Sequence, residues 1–97
     1  MAKRASRPRR AAESLISKDV LAKEIANILD ERGLTQTEAA WMIKDAPSQM
    51  SLMASGKTKG FSSERLIRTL TGLGRDVDIV IRKARSGAGK VRLTVKR

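Results

Sequence analysis

The chain has 97 residues, with 21 Lys and Arg against 10 Asp and Glu for a formal net charge of +11, a single Trp, a single Phe, and neither Cys nor His. That length supports one small domain with a modest aliphatic, Met-filled core. The missing Cys and His exclude a disulfide framework, a thiol nucleophile and a recognisable zinc-ligand set, so no metal and no cofactor is expected. No apolar run reaches the roughly 18–20 residues of a membrane span. The basic start MAKRASRPRR is followed by no uninterrupted apolar segment of signal-peptide length. The expectation is a cytoplasmic protein without membrane attachment.

The charge is concentrated at the ends. Lys3, Arg4, Arg7, Arg9 and Arg10 crowd the first ten residues, and Arg82, Lys83, Arg85, Lys90, Arg92, Lys96 and Arg97 crowd the last sixteen, with no acidic neighbour in either segment. Residues 11–81 carry nine basic and ten acidic side chains, a net of −1. A polyanion would therefore be held chiefly at the termini.

The first dozen residues lack apolar periodicity and read as a disordered basic arm, assigned to 1–16. From Ser17 the pattern becomes helical: Val20, Leu21, Ile25, Ile28 and Leu29 share a face, Asp19 and Glu24 lie toward the N-terminal end, and Gly33 is a stop. The first helix is expected over about 18–32. Thr35 and Glu38 have capping-box spacing, which predicts a second, two-turn helix over about 36–43. KDA is then a turn, and Pro47 suits the first position of a third helix that ends before Gly56. Ser62 caps a fourth helix with Leu66, Ile67, Leu70 and Leu73 on its apolar face, closed by Gly72 and Gly74.

Beyond it, RDVDIVIRKA alternates Val77, Ile79 and Ile81 against Asp78, Val80 and Arg82, and KVRLTVKR alternates Val91, Leu93 and Val95 against Arg92, Thr94 and Lys96. Period two and β-branching predict two strands, with ARSGAGK as a long hairpin loop. A two-stranded ribbon is marginal alone. It is expected to pack on the helices or to pair with its copy in a second subunit, which makes Val77, Ile79 and Ile81 candidate dimer-strand residues.

Two short helices joined by a tight turn make a helix-turn-helix, whose second helix enters the major groove of DNA. Ala39 and Ala40 permit close approach, Ile43 fills the inside of the turn, and Met50 and Met53 occupy one face of the third helix. Ser48, Gln49, Ser51, Leu52 and Ser55 are left to point away, with Pro47 at the tip. No Arg or Lys lies between Asp45 and Lys57. A Gln amide pairs with adenine, Ser donates or accepts, and Leu or Pro suits a thymine methyl, so base reading requires no positive charge there. Lys44, Lys57, Lys59 and the two termini would supply the phosphate attraction, with Ser51 either a further phosphate contact or plain helix surface. At least one of Trp41 and Met42 should be partly exposed, either lying over the domain edge or presented to a partner protein.

The stretch GLTQTEAAWMI, followed by SGKTKGFSSERLIRTLTGLGRDVDIVIRKA, resembles the XRE (Cro/repressor-type) helix-turn-helix family, in its HigA-like antitoxin branch, over roughly residues 20–84. The most specific part is F-S-x-x-R-L-I-R-x-L-T-x-L-G-R-D-V-D-I. The chain departs from the family in having Lys44 where Gly is common at the turn, Ala46 where a Ser or Thr cap is common, and Gln49 or Leu52 where a basic residue is common. The resemblance implies a mainly α fold: a lambda-repressor-like domain of about four helices over 17–75, followed over 76–97 by a C-terminal β-strand or β-hairpin that carries dimerisation and a basic tail. It also implies that Gln36, Gly56, Lys57, Thr58 and Lys59 touch phosphates while Pro47, Ser48, Gln49 and Leu52 face bases.

The function so implied is a homodimeric, sequence-specific repressor of an operator in double-stranded DNA. By resemblance alone, it is the antitoxin of a toxin–antitoxin pair that neutralises a RelE-like ribonuclease toxin. The alternatives are a stand-alone or phage-derived XRE repressor and a nonspecific nucleic-acid-binding protein. Enzyme activity is not expected, because no residue set suits acid–base or nucleophilic work.

Overall fold

The computed structural model describes residues 16–96, so the predicted arm residues Lys3, Arg4, Arg7, Arg9 and Arg10 lie outside the described part. Four helices follow in chain order: α1 Lys18–Arg32, α2 Gln36–Met42, α3 Pro47–Ala54 and α4 Ser63–Gly72. Local chemistry explains their limits. The Ser17 hydroxyl accepts from the Val20 N–H to open α1, and Gly33 closes it in the left-handed conformation at φ 64°, donating its N–H to Asp30 and Leu29. Only a residue without Cβ takes that conformation without strain. The capping box at α2 is formed in both directions: the Thr35 hydroxyl accepts from the Glu38 N–H at 3.0 Å and the Glu38 carboxylate accepts from the Thr35 N–H at 2.8 Å. Ser62 accepts from the Arg65 N–H to start α4.

The helices wrap one aliphatic core. Leu21, Ile25, Ile28 and Leu29 of α1 meet Ala39 and Ala40 of α2, Met50 and Met53 of α3, and Leu66 and Leu70 of α4, with Phe61 and Leu73 closing the ends. Ile25, Ile28, Ala39, Ala40, Met50, Met53 and Leu66 are completely buried. α2 packs on α3, and α1 packs on both α3 and α4. Ile16 leans on the same core one residue before the α1 cap.

A close contact joins the ends of α2 and α4. A Cβ placed on Gly72 would lie 2.6 Å from Cγ2 of Ile43, well inside van der Waals contact. Ile43 fills the inside of the turn only because position 72 has no side chain.

Beyond Gly74 the chain departs from expectation. No strand occurs among the described residues, and residues 76–96 run without helix or ladder, in place of the strand or hairpin that alternation predicts. Val77 packs against the core. Ile79 and Ile81 are 78% and 94% exposed, and Val80, Val91, Leu93 and Val95 are exposed as well. The physical reason is that a strand exists only against a neighbour, and alternation supplies two faces without supplying that neighbour. The start of this segment is anchored: Arg32 donates to the Leu73 carbonyl at 3.0 Å, the Arg75 N–H reaches the Leu70 carbonyl at 3.0 Å, and the Arg75 guanidinium pairs with Glu31.

Candidate nucleic-acid interface

The α2–turn–α3 unit stands on the buried pairs Ala39–Ala40 and Met50–Met53, which fix the rotation of both helices about their axes. With Met50 and Met53 inward, the opposite side of α3 presents Pro47, Ser48 and Leu52 to solvent, while Gln49 and Ser51 are half-buried. Leu52 is 39% exposed, a large apolar side chain held in water on a face that also carries Pro47 and Ser48. Ser55 also belongs to the surface, but its hydroxyl is engaged with the Ser51 carbonyl at 2.6 Å.

Lysines border this face. Lys44, Lys57 and Lys59 are exposed and carry no ion pair among the described residues, and Gln36 and Gly56 are exposed as well. Thr58 differs from the other loop positions expected at phosphates. It is 8% exposed, which leaves little of it open to solvent, and its carbonyl accepts from the Phe61 N–H at 2.9 Å. Trp41 and Met42 are 67% and 43% exposed on α2, away from the Ala39–Ala40 contact.

The turn itself is held in an unusual way. Lys44 has φ 55°, the left-handed conformation that a side chain disfavours. Relieving that strain is worth about 1 kcal/mol, since the left-handed region costs a non-Gly residue roughly 1–2 kcal/mol and glycine returns part of this as unfolded-chain entropy. Lys44→Gly is therefore expected to raise the melting temperature by a few degrees. A thermal melt checks this, and a lower melting temperature would refute the strain assignment.

α3 has no side-chain cap at Ala46. The neighbouring Asp45 anchors the start of the helix in another way. Its Oδ1 accepts from the Ala46 N–H at 2.8 Å and its Oδ2 accepts from Arg65 Nη2 at 2.8 Å. Partial burial opposes the Asp45 charge, but the Arg65 hydrogen bond, the Ala46 amide and the Arg65 charge outweigh it and hold the carboxyl below its ordinary value of 3.8. A depressed carboxyl favours the folded state above its unfolded value, so this contribution is intact above about pH 4 and is lost as pH falls through the depressed value. The acid of this clamp adjoins the uncapped Ala46 in sequence. Its cationic partner, twenty residues away, carries no local signal.

A family model described as a helix-turn-helix domain matches residues 8–82. A solved structure named "Putative XRE Family Transcriptional Regulator" is 33% identical, has a TM-score of 0.74, and is covered over 98% of its length by 90% of this chain. No curated protein matches the sequence significantly. Among the described residues no helix is long and apolar enough to cross a membrane. With the two-helix unit in place and both matches extending across it, the chain belongs to the XRE family of helix-turn-helix proteins.

Proposed function

We propose that this protein is a DNA-binding transcriptional regulator that reads a specific operator as a homodimer and serves as the antitoxin of a toxin–antitoxin pair, repressing its own operon. The observation that carries the DNA-reading part is the chemistry of α3: a face of Pro47, Ser48, Gln49, Ser51 and Leu52 without a formal charge, bordered by the unpaired cations Lys44, Lys57 and Lys59. Such a face suits base edges, whose readout is by hydrogen bonds and methyl contacts, while the border suits phosphates. Membership of the XRE family supports the same reading. The reading gives the chain a binding role and assigns it no catalytic residue and no cofactor.

Homodimerisation is supported by the exposed run Ile79, Val80 and Ile81, whose backbone makes no backbone hydrogen bond among the described residues. A second copy would complete a ladder there. Selection of bound sequences from a random duplex pool tests both parts together. The expected product has two symmetric half-sites about 34 Å apart, or a multiple of that. Recovery of unrelated duplexes would return the protein to nonspecific binding, and light scattering that shows a monomer at every concentration, on DNA and off it, would overturn the dimer.

The antitoxin assignment is supported by the resemblance of the segment from Phe61 to Ile79 to the HigA-like branch. Under this reading a RelE-like ribonuclease toxin would bind away from α3, with the exposed side of α1 and the segment preceding it as candidates, leaving α3 free for DNA. The reading expects a small basic toxin-like reading frame beside this gene, and co-expression of the two is expected to yield a stable complex. Protection of Ser48–Ser55 by such a toxin would overturn this placement, and the absence of any such neighbour would favour a stand-alone repressor.

A further inference from the structure

Among the cations near α3, Arg65 is the exception. Lys44, Lys57 and Lys59 extend into solvent, whereas the Arg65 guanidinium is bonded to Asp45 and lies 5.2 Å from the centroid of the buried Phe61 ring. Its backbone is fixed as well, with its N–H on the Ser62 hydroxyl and its carbonyl accepting from Thr69. Arg65 is thus a fixed post on α4, and among the described residues the only one it holds by a charged bond is Asp45.

Asp45 transmits that hold to α3. Its second oxygen takes the Ala46 N–H. The Ala46 carbonyl accepts from both Gln49 at 3.0 Å and Met50 at 3.1 Å, so the orientation of the peptide units flanking Ala46 sets the first turn of the helix. The Asp45 N–H is tied to the Ala40 carbonyl at 2.9 Å, which closes the frame onto α2. Without a hydroxyl cap at Ala46, nothing else polar among the described side chains fixes the tip that carries Pro47 and Ser48.

We propose that Arg65 is a positioning residue for the reading helix, acting through the Asp45 carboxylate on the Pro47–Ser48 tip, and is not itself a phosphate contact. The inference rests on the DNA-reading role proposed above. Two physical consequences separate it from a direct contact. A guanidinium already neutralised by a carboxylate releases few counterions, so its removal leaves the salt dependence of binding nearly unchanged. Removal of either partner frees the same tip, so the two effects do not add.

The experiment compares Arg65→Ala, Asp45→Ala, the double variant and Arg65→Lys. Each binds the tightest duplex recovered from a random pool and a scrambled duplex of the same composition, across a salt series. Each single alanine variant is expected to reduce the preference for the selected duplex by about tenfold, the scale of one misplaced base contact. The double variant should lose no more than the worse single, Arg65→Lys should recover part of the preference, and the salt slope should stay that of the parent. A slope shallower by about 0.9 in Arg65→Ala, with Asp45→Ala binding as tightly and selectively as the parent, would make Arg65 a phosphate contact and overturn the proposal. If Arg65→Ala does not fold, Asp45→Asn carries the test: it retains the Ala46 acceptor and loses the charge, and undiminished preference in it overturns the proposal. A parent protein with no preference between the two duplexes would overturn the DNA-reading role, and this inference with it.

Discussion

Shortening Leu66 to alanine is expected to destabilise the domain by about 2–5 kcal/mol, the range for deleting a buried Leu side chain beyond Cβ. Leu66 is completely buried on α4, within the cluster that α1 and α3 also enter. Neighbours drawn from three helices cannot all collapse into the void, which favours the upper part of that range. For a domain of this size each kcal/mol corresponds to roughly 4–8 °C in melting temperature, so the variant should melt far below the parent or fail to fold at physiological temperature. Leu52→Ala is the control. The same chemical change at a 39% exposed position on α3 should lower the melting temperature far less, and its effect should emerge in duplex binding. Equal melting temperatures for the two variants would contradict the inward and outward faces described for these helices.

The second large effect separates reading from attraction. Gln49→Ala removes a polar group from α3 and no charge, so it should cost about 1–3 kcal/mol on the selected duplex and flatten preference at one base pair, with the salt slope held. Replacing Lys57 and Lys59 together should weaken selected and scrambled duplexes alike and make the slope shallower by about 0.9 for each phosphate that is no longer neutralised. Gln49 is half-buried, so the full effect requires its amide to reach outward past the helix edge. If Gln49→Ala weakened both duplexes equally, the uncharged face would not be the reader.

The helices were legible because their limits are local chemistry. Ser17, the Thr35–Glu38 pair, Pro47, Ser62 and Gly33 each act within four residues of themselves, and the observed helices start and stop on them. Ile43, expected as the last residue of the second helix, instead follows it as the C-cap. The core side of α3 was legible for a similar reason, since the spacing of Met50 and Met53 leaves one choice of inward face. What sequence could not supply was partners at long range. Asp45 and Arg65 lie twenty residues apart without periodicity to link them. Thr58 sits among polar loop residues, yet the close return of the chain at Phe61 places it inside. The alternating segments after Gly74 show the converse: a clear local pattern that specifies faces but not pairing, and no ladder forms among the described residues.

The contact between Ile43 and Gly72 makes these two positions epistatic. A side chain at position 72 is admissible only after position 43 has shrunk, and shrinking Ile43 first opens a void on the inside of the reading-helix turn. Either order of change passes through a less stable intermediate, by a clash on one route and a cavity on the other. A side chain at position 72 should therefore be tolerated better in an Ile43→Ala background than in the parent, and a melt of Gly72→Ala alone and with Ile43→Ala checks this.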